Sequence, residues 1–333
     1  MESVLEVRNL VKGFRPSPFK AKVAALRGVT FAVAEGECFG LLGQNGAGKT
    51  TILKIAAGLL AADRGEAFLL GRPSGEAAAR RALGYLPENP YFHEHLTPLE
   101  GLEIYGRLSG LSAAEVKSRA PALLERVGLT DAARRRLRGF SKGMRQRFGL
   151  AAALLHEPRM VILDEPLSGL DPGGRRLVKE LILEQRRVGR TVVLCSHVLA
   201  DVQELCDRVV VLHKGEVVRE GAIASLLSSA PRSFELCAEQ VAPALASRIE
   251  QHSSLFRAAG GTITAKLPGE SLGPQFAAQI HADGGRLLSL VPERESLEEW
   301  FVRLVAGEPP VDPLPPAPAV PRREVAPIAE VSA

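Results

Sequence analysis

Residues 43–50 read Gly-Gln-Asn-Gly-Ala-Gly-Lys-Thr and follow an apolar run, Cys38-Phe39-Gly40-Leu41-Leu42. The stretch matches the pattern G-x-x-x-x-G-K-[ST], in which glycines let backbone N–H groups approach phosphate oxygens. Lys49 supplies a positive charge, and the Thr50 hydroxyl is suited to magnesium. The residues after Lys49 are typical of a helix, whose N-terminal end attracts anions. A strand, a glycine-rich loop and a helix in this order predict a site for nucleotide phosphates.

The length and composition indicate a globular protein with one large and one small domain. The chain has 333 residues, of which 46% are apolar, and this is ample for a core. Its four cysteines form no C-x-x-C pair, which favours reduced thiols in the cytosol over a zinc site or a disulfide framework. The first residues do not resemble a secretory leader, and no apolar run approaches the roughly 20 residues that cross a bilayer. We therefore expect a cytoplasmic protein that reaches a membrane only through a partner.

The net charge of +4 is mild, and only one basic cluster stands out, between Arg134 and Arg147. A solvated helix surface is the main interpretation of this cluster, and contact with phosphate or with a membrane surface is the alternative. We expect no nucleic-acid partner, because such a partner would require the basic excess to be gathered on one face.

The apolar pattern divides the chain into regions. Short β-like segments before residue 43 predict a small β-rich subdomain, and residues 98–160 carry helical spacing. Continuous apolar runs at 160–163 and 191–195 are typical of strands buried in a parallel sheet. We expect the following domains: a nucleotide-binding domain over 1–230 with a helical subdomain at about 88–158, an accessory α+β domain over 231–306, and a disordered proline-rich tail over 307–333.

Two carboxylates, Asp164 and Glu165, follow the apolar run that starts at Met160. Charge at the exit of a buried strand is costly unless a cation or a reactant uses it. With a phosphate loop upstream, Asp164 is suited to hold magnesium, directly or through water. Glu165 is suited to orient or deprotonate an attacking water.

The segments around this strand resemble a known family. Residues 140–147, Phe-Ser-Lys-Gly-Met-Arg-Gln-Arg, lie where the ATP-binding cassette (ABC) family has its signature motif. Residues 167–171, Leu-Ser-Gly-Leu-Asp, resemble that family's D-loop, and residues 194–197, Leu-Cys-Ser-His, resemble its switch-histidine segment. The likeness spans roughly residues 1–230. It implies an α/β P-loop NTPase fold of ABC type, with a mixed central sheet, a β-rich subdomain and a helical insertion, followed by a small α+β C-terminal domain.

The resemblance also implies a function for individual residues in binding ATP and Mg²⁺. Phe14 matches the aromatic residue that stacks on adenine, with Phe19 as its rival. Ser141 and Gly143 would contact the γ-phosphate held by the opposite subunit, so that turnover would require a dimer. The implied nucleotide contacts are Phe14, Gly43, Gln44, Asn45, Gly46, Ala47, Gly48, Lys49, Thr50, Thr51, Ser141, Gly143 and Asp171. The implied catalytic residues are Lys49, Glu165 and His197, and the implied magnesium ligands are Thr50, Glu88 and Asp164.

The sequence departs from the common family pattern in two motifs. Glu88 stands where the family's Q-loop usually has glutamine, and a carboxylate there can ligate magnesium but adds negative charge near the triphosphate. The signature reads Ser-Lys-Gly-Met where Ser-Gly-Gly-Gln is commoner. Both variants, and the segment Ser289 to Phe301, resemble ATPases that serve ABC-2-type exporters.

The expected function is therefore that of an ATPase subunit that docks, as a homodimer or with a paralogue, on a separate membrane permease at the inner face of the cell membrane. Tyr91, Phe92, Leu96 and Leu99 either form an apolar groove for a permease helix or cap the core of the helical subdomain. The rival classes are a soluble ABC ATPase that acts on nucleic acid or ribosomes and a regulatory nucleotide-binding module without turnover. The first is disfavoured because neither zinc cysteines nor a second cassette is visible, and the second because Glu165 and His197 are present.

Overall fold

A computed structural model describes residues 3–15, 17, 21–227 and 231–306. Phe19 and the predicted tail at 307–333 lie outside these residues. The described chain divides into two compact units, and the division falls between Gly221 and Ala222 in the sequence. The division thus lies before residue 230, at the last residues of the strand Glu216–Ala222.

The first unit combines two sheets with seven helices among its described residues. Its strands are β1 (Ser3–Phe14), β2 (Val23–Ala34), β3 (Cys38–Gly43), β4 (Arg64–Leu69), β5 (Arg72–Pro73), β6 (Leu83–Leu86), β7 (Met160–Asp164), β8 (Thr191–Cys195), β9 (Arg208–His213) and β10 (Glu216–Ala222). Its helices are α1 (Lys49–Ala56), α2 (Ala77–Arg80), α3 (Pro98–Leu108), α4 (Ala113–Arg126), α5 (Lys142–Leu154), α6 (Pro172–Arg187) and α7 (Leu199–Leu205), with 3₁₀ turns at Thr130–Ala132 and Leu137–Gly139.

The larger sheet has the strand order β10-β9-β3-β8-β7-β6, and β3, β6, β7, β8 and β9 pair in parallel. All residues of β7 and β8 are buried, as expected for parallel strands that are covered on both faces. The carboxyl ends of parallel strands share one edge of a sheet. The loop after β3, Asp164 at the end of β7 and Cys195 at the end of β8 therefore lie side by side, and Asp164 is in register with Cys195.

The smaller sheet of this unit is antiparallel, with the order β2-β1-β4-β5. It is built from the β-like segments before residue 43 together with β4 and β5. Its inward residues join those of α1 and β3 in one hydrophobic core, which includes Leu5, Phe31 and Ile52. The β-rich subdomain therefore supports the phosphate loop from one side.

Helices α3, α4 and α5 form the helical region expected from the spacing over 98–160. Their starts are defined locally, because α3 and α4 each begin with a capping box, Thr97 with Glu100 and Ser112 with Glu115. Helix α5 begins at the N-cap Ser141, whose hydroxyl accepts a hydrogen bond from the Met144 N–H at 3.2 Å.

The second unit contains α8 (Ile223–Leu226), β11 (Ser233–Glu239), α9 (Pro243–His252), β12 (Leu255–Ala259), β13 (Thr262–Pro268), α10 (Leu272–Ala282), β14 (Arg286–Glu293) and α11 (Leu297–Ala306). From β11 to β14 the order of elements is β-α-β-β-α-β, and the antiparallel sheet has the order β12-β13-β11-β14. This is the ferredoxin-like arrangement. Its core includes Leu236, Ala265 and Ile280. Among the described helices of the whole chain, none has the length and apolar character required to span a bilayer.

Candidate active site

A cavity of about 560 Å³ opens at the carboxyl edge of the parallel sheet, within the size range of small-molecule sites. Residues from the phosphate loop, from the ends of β7 and β8 and from the loop after β6 meet here. The lining residues are Phe14, Ala25, Asn45, Gly46, Gly48, Lys49, Thr50, Thr51, Glu88, Asp164, Glu165 and His197. The structure thus brings most of the predicted site residues together.

The phosphate loop leaves space and hydrogen-bond donors for an anion. Among the described residues no side chain caps the N-terminus of α1, where Gly48 occupies the N-cap position. A Cβ at Gly46, where φ is +81°, would meet no atom within 4 Å, so the glycine leaves open space on the cavity side. A Cβ at Gly48, where φ is +106°, would lie 2.8 Å from the Ala25 carbonyl oxygen. The loop therefore requires glycine at Gly48 for packing and conformation, whereas Gly46 keeps the approach to the backbone open.

Lys49 is buried, and its ammonium group donates to the carbonyl oxygens of Gly43 at 2.6 Å and Gln44 at 3.3 Å. Gly43, Gln44 and the buried Ala47 do not line the cavity but form the turn beneath it, in which the Ala47 N–H donates to Gln44 O at 3.1 Å. The lysine is thus held at the floor of the cavity by the loop that it follows.

Asp164 has the surroundings of a metal ligand. The residue is 1% exposed, and its Oδ1 accepts from the Cys195 thiol at 2.6 Å and from the Thr50 hydroxyl at 3.4 Å. Its buried Oδ2 has no hydrogen-bond partner among the described residues. A buried carboxylate oxygen without a partner is costly unless a cation compensates it. The residues that line the cavity therefore fit Mg²⁺.

Within the described part of the chain, no group of three or more His, Cys, Asp and Glu side chains is placed to hold a metal by itself. Mg²⁺ is usually held by one or two carboxylates together with substrate phosphates. Thr50, Asp164 and Glu88 are the side chains at the cavity that offer oxygen ligands of this kind.

Glu165 adopts the left-handed backbone conformation with φ of 52°, which is strained for a residue with a Cβ. Two contacts hold this conformation: its N–H donates to Cys195 O at 3.1 Å, and its carbonyl oxygen accepts from Gln146 Nε2 at 3.1 Å. Burial raises the pKa of the Glu165 carboxyl above its usual value, although the hydrogen bond from His197 acts in the opposite direction. A carboxylate with a raised pKa in a cleft is suited to accept a proton.

The His197 ring lies against this carboxylate, with Nδ1 2.7 Å from Glu165 Oε2. Since an ionised carboxylate only accepts hydrogen bonds, Nδ1 carries the proton and donates it. The His197 side chain is 60% exposed, whereas the Glu165 side chain is only 12% exposed. The histidine therefore orients the carboxylate from the open side of the cavity.

Phe14 lines the cavity and is 44% exposed, and the Lys12 ammonium lies 5.7 Å from the centre of its ring. Its rival for the adenine contact, Phe19, is outside the described residues. Glu88 is exposed and lines the same cavity.

Ser141, Gly143 and Asp171 do not line this cavity. The Ser141 hydroxyl caps α5, and the Asp171 carboxylate caps α6 by accepting from the Gly174 N–H at 3.0 Å. A Cβ at Gly143 would lie 3.0 Å from the Gly169 carbonyl oxygen, so the signature segment packs closely against the D-loop segment. Within one chain, the signature residues are therefore separate from the phosphate loop.

Two residues at the site were not assigned a function from the sequence. Gln146 is 1% exposed and supports the Glu165 backbone, and Cys195 donates to Asp164. Gln146 lies inside the quoted signature segment, and Cys195 lies two residues before His197, so both were near recognised motifs. Their contacts depend on how α5 and β8 pack against the end of β7, which local patterns do not reveal.

A parallel sheet with a phosphate loop, a buried aspartate, a following glutamate and a histidine at one edge defines a P-loop NTPase. Residues 26–168 match the ABC transporter family. An uncharacterized ABC transporter ATP-binding protein of Nostoc sp. is 37% identical over 311 residues, covering 91% of this chain and 90% of that protein. The Nod factor export ATP-binding protein I of Rhizobium sp. is 34% identical over 291 residues, covering 85% of this chain and 92% of its own.

Solved structures agree with these relatives. The ATP-binding subunit of an ABC transporter is 36% identical with a TM-score of 0.62, and the match covers 67% of this chain and 92% of that one. A dimeric ATP-binding cassette in a post-hydrolysis state, bound to ADP and Pi, is 25% identical with a TM-score of 0.61, covering 66% of this chain and 98% of that one. The chain belongs to the ABC transporter ATP-binding proteins. It is an ATPase, and it is the ATP-binding subunit of a transporter. The fold class expected from the sequence is confirmed.

Proposed function

We propose that this ATPase is the motor subunit of an ABC-2-type exporter and works as a head-to-tail dimer on a separate membrane permease at the inner face of the cell membrane. One observation carries the dimer. The cavity of a single chain holds the phosphate loop, Asp164, Glu165 and His197, but Ser141 and Gly143 lie outside it. A second copy, or a paralogue, would supply these two residues to the γ-phosphate. The export assignment is supported by a relative named for Nod factor export and by the signature and Glu88 variants.

The cavity residues suit ATP hydrolysis as follows. Lys49 and the free N–H groups at the start of α1 bind the β- and γ-phosphates, and Phe14 stacks on the adenine. Glu165 orients a water molecule and accepts its proton. As the water oxygen bonds to the γ-phosphorus, the bond between that phosphorus and the bridging oxygen to the β-phosphate breaks. His197 donates from Nδ1 to Glu165 and so fixes the direction of the carboxylate. Thr50, Asp164 and Glu88 would hold Mg²⁺, which would neutralise developing charge on the phosphate oxygens.

The permease contact is assigned to a groove of about 300 Å³ between β6, α3 and α5, called the docking groove here. Its lining residues are Leu83, Tyr85, Leu86, Pro87, Pro90, Tyr91, Phe92, Tyr105, Leu108, Ser109, Gly149, Ala152, Ala153 and His156. Tyr91 and Phe92 line this groove, whereas Leu96 and Leu99 do not. The Phe92 ring also packs edge-on against Phe148 at 4.7 Å between ring centres, so this residue both lines the groove and supports the core. Tyr91 is 84% exposed and is free to contact a partner.

The dimer is tested with Glu165→Gln, which keeps the shape of the residue but removes the base. With ATP and Mg²⁺ we expect this variant to accumulate as a dimer in light scattering and to lose steady-state hydrolysis, whereas Lys49→Ala stays monomeric because ATP binding is weakened. Glu180→Gln on the exposed face of α6 is the matched control and should behave as the native protein. Normal hydrolysis by both the Glu165 and the Lys49 variants would refute the assignment. Purification with an RNA- or DNA-containing particle, in place of a membrane protein, would favour the soluble class of ABC ATPase.

A further inference from the structure

Glu165 begins a tight turn over residues 165–168, called the glutamate turn here. The Ser168 N–H closes this turn by donating to Glu165 O at 3.1 Å, and Pro166 occupies its second position. Proline is favoured at that position, because its fixed φ matches the turn. The left-handed backbone of Glu165 is nevertheless strained, so contacts with the rest of the chain must hold the turn in place.

Helix α5 contacts the glutamate turn at both of its ends. At the first end, Gln146 Nε2 donates to Glu165 O. At the last end, the Lys142 ammonium group donates to Ser168 Oγ at 3.1 Å. The stem of Lys142 lies over the residue that follows the turn, since a Cβ at Gly169 would come within 2.7 Å of Lys142 Cδ. Glycine at this position therefore leaves room for the lysine to cross from the helix to the turn.

The stability of α5 does not explain the lysine. Lys142 is the exposed first residue of the helix, and a positive charge there is unfavourable beside the positive end of the helix dipole. Among the described residues its ammonium group makes no ion pair, and Ser168 is its hydrogen-bond acceptor. The commoner residue at this position of the signature, glycine, has no side chain that could make this bond. The contact is therefore a feature of this sequence and not of the common signature pattern.

We propose that Lys142 is a positioning residue for ATP hydrolysis and acts on Glu165 through Ser168. The bond from Lys142 fixes the last residue of the glutamate turn against α5, while Gln146 fixes the first. Without the ammonium group the turn is held at one end only, and the Glu165 carboxylate is less often aimed at the water whose proton it accepts. The assignment rests on the part of the proposed function in which Glu165 is the base.

Lys142→Met tests the bond, because it keeps an unbranched stem over Gly169 and removes the donor. In the full chain with ATP and Mg²⁺ we expect kcat to fall about three- to tenfold, the range expected for one partly exposed hydrogen bond. KM should stay unchanged, because Lys142 does not line the cavity. Lys142→Arg keeps a charged donor and should restore most of the rate. Lys117→Met on the exposed side of α4 is the matched control and should hydrolyse ATP as the native protein does.

Two kinetic results would overturn the inference. One is a normal kcat in Lys142→Met. The other is a raised KM with an unchanged kcat, because the lysine would then bind nucleotide and not orient the base. The variant Glu165→Gln separates the inference from the proposed function. Normal hydrolysis by Glu165→Gln would remove the proposed base itself, whereas loss of hydrolysis there with normal hydrolysis by Lys142→Met would remove only the function of the lysine.

A double-mutant cycle tests the route through Ser168. In the Ser168→Ala background, Lys142→Met should cause no further loss of kcat, because the acceptor of its hydrogen bond is already absent. Independent losses that multiply in the double variant would show that Lys142 does not act through Ser168, and the inference would be wrong.

Amide exchange measures the turn without catalysis. The Ser168 N–H is bonded within the glutamate turn, so its exchange reports how often the turn opens. In the nucleotide-free full chain we expect the peptide that spans residues 165–171 to exchange faster in Lys142→Met than in the native protein or in Lys117→Met, as measured by hydrogen–deuterium exchange and mass spectrometry. Equal protection of this peptide in all three proteins would overturn the inference.

Discussion

Replacement of Cys195 by alanine tests whether its thiol holds the proposed magnesium ligand. The Cys195 sulfur lies 2.6 Å from Asp164 Oδ1, and both residues are buried, with exposures of 0% and 1%. Removal of a donor that leaves a buried carboxylate oxygen without that partner costs about 2 kcal/mol. Loss of the sulfur volume from a packed site adds about 1 kcal/mol. We therefore expect the free energy of unfolding to fall by about 3 kcal/mol, which corresponds to a melting temperature roughly 6 to 12 °C lower for a unit of this size.

The matched control is Cys206→Ala. Cys206 is another buried free thiol, and its hydrogen-bonding neighbour among the described residues is the Cys38 sulfur at 3.9 Å, not a carboxylate. This variant loses the same atoms but no bond to an anion, so we expect a cost of about 1 kcal/mol. Cys195→Ser keeps a donor at the same place and should recover most of the difference.

The assay is thermal unfolding without nucleotide, followed by titration with Mn²⁺ in the presence of a non-hydrolysable ATP analogue, read by electron paramagnetic resonance. If the thiol positions Asp164, Cys195→Ala should weaken Mn²⁺ binding and Cys206→Ala should not. Equal losses of stability in the two alanine variants, within about 0.5 kcal/mol, together with equal Mn²⁺ affinity, would refute the reasoning.

Four further predictions concern residues at the cavity. Because burial raises the pKa of Glu165, the hydrolysis rate should increase with pH through a value above 4.5, and a half-maximum at or below 4.5 would contradict this. Because the pKa of Glu165 is higher in the folded state, its carboxyl contributes to stability only at low pH, and this contribution is lost as pH rises through the folded-state pKa. Glu165→Gln should therefore raise the melting temperature at pH 7 and not at pH 4. Glu88→Gln should keep steady-state hydrolysis, and loss of turnover with unchanged ATP affinity would show that Glu88 is the base. Gly46→Ala should abolish ATP binding in calorimetry while costing only about 1 to 2 kcal/mol of stability. Gly48→Ala should destabilise the protein more, because its Cβ would meet the Ala25 carbonyl oxygen. Equal melting temperatures of the two variants would contradict this difference in stability.

The phosphate loop and the pair Asp164 and Glu165 could be predicted because their signals are local. A continuous apolar run ends, and residues with a defined chemistry follow at once, so the strand, the turn and the site appear in one stretch of sequence. The parallel arrangement of strands then brings these stretches to one edge without further information. This explains why residues from well-separated loops met in one cavity as expected.

The contacts of Cys195 and Gln146 could not be predicted, because each joins elements that are distant in the sequence. The bond from Cys195 to Asp164 depends on the register of β7 against β8, which pairs these two residues across 31 positions. In the second unit, β14 carries a burial pattern that is almost entirely exposed, so it lacks the alternation that identifies a strand. Its segment from Ser289 to Val291 carries a family resemblance but no local strand pattern.

The backbone at Glu165 explains how two adjacent carboxylates serve one cavity. Successive residues of a strand point to opposite faces, so an extended continuation of β7 would direct Asp164 and Glu165 away from each other. The left-handed conformation at Glu165 interrupts this alternation, and both side chains line the same cavity. Gln146 holds that conformation from α5, and the same helix starts at Ser141, the residue proposed to contact the nucleotide of the second copy. A displacement of α5 would therefore act on the carboxylate of one site and on the serine of the other together, which gives the two sites of the proposed dimer a direct physical connection.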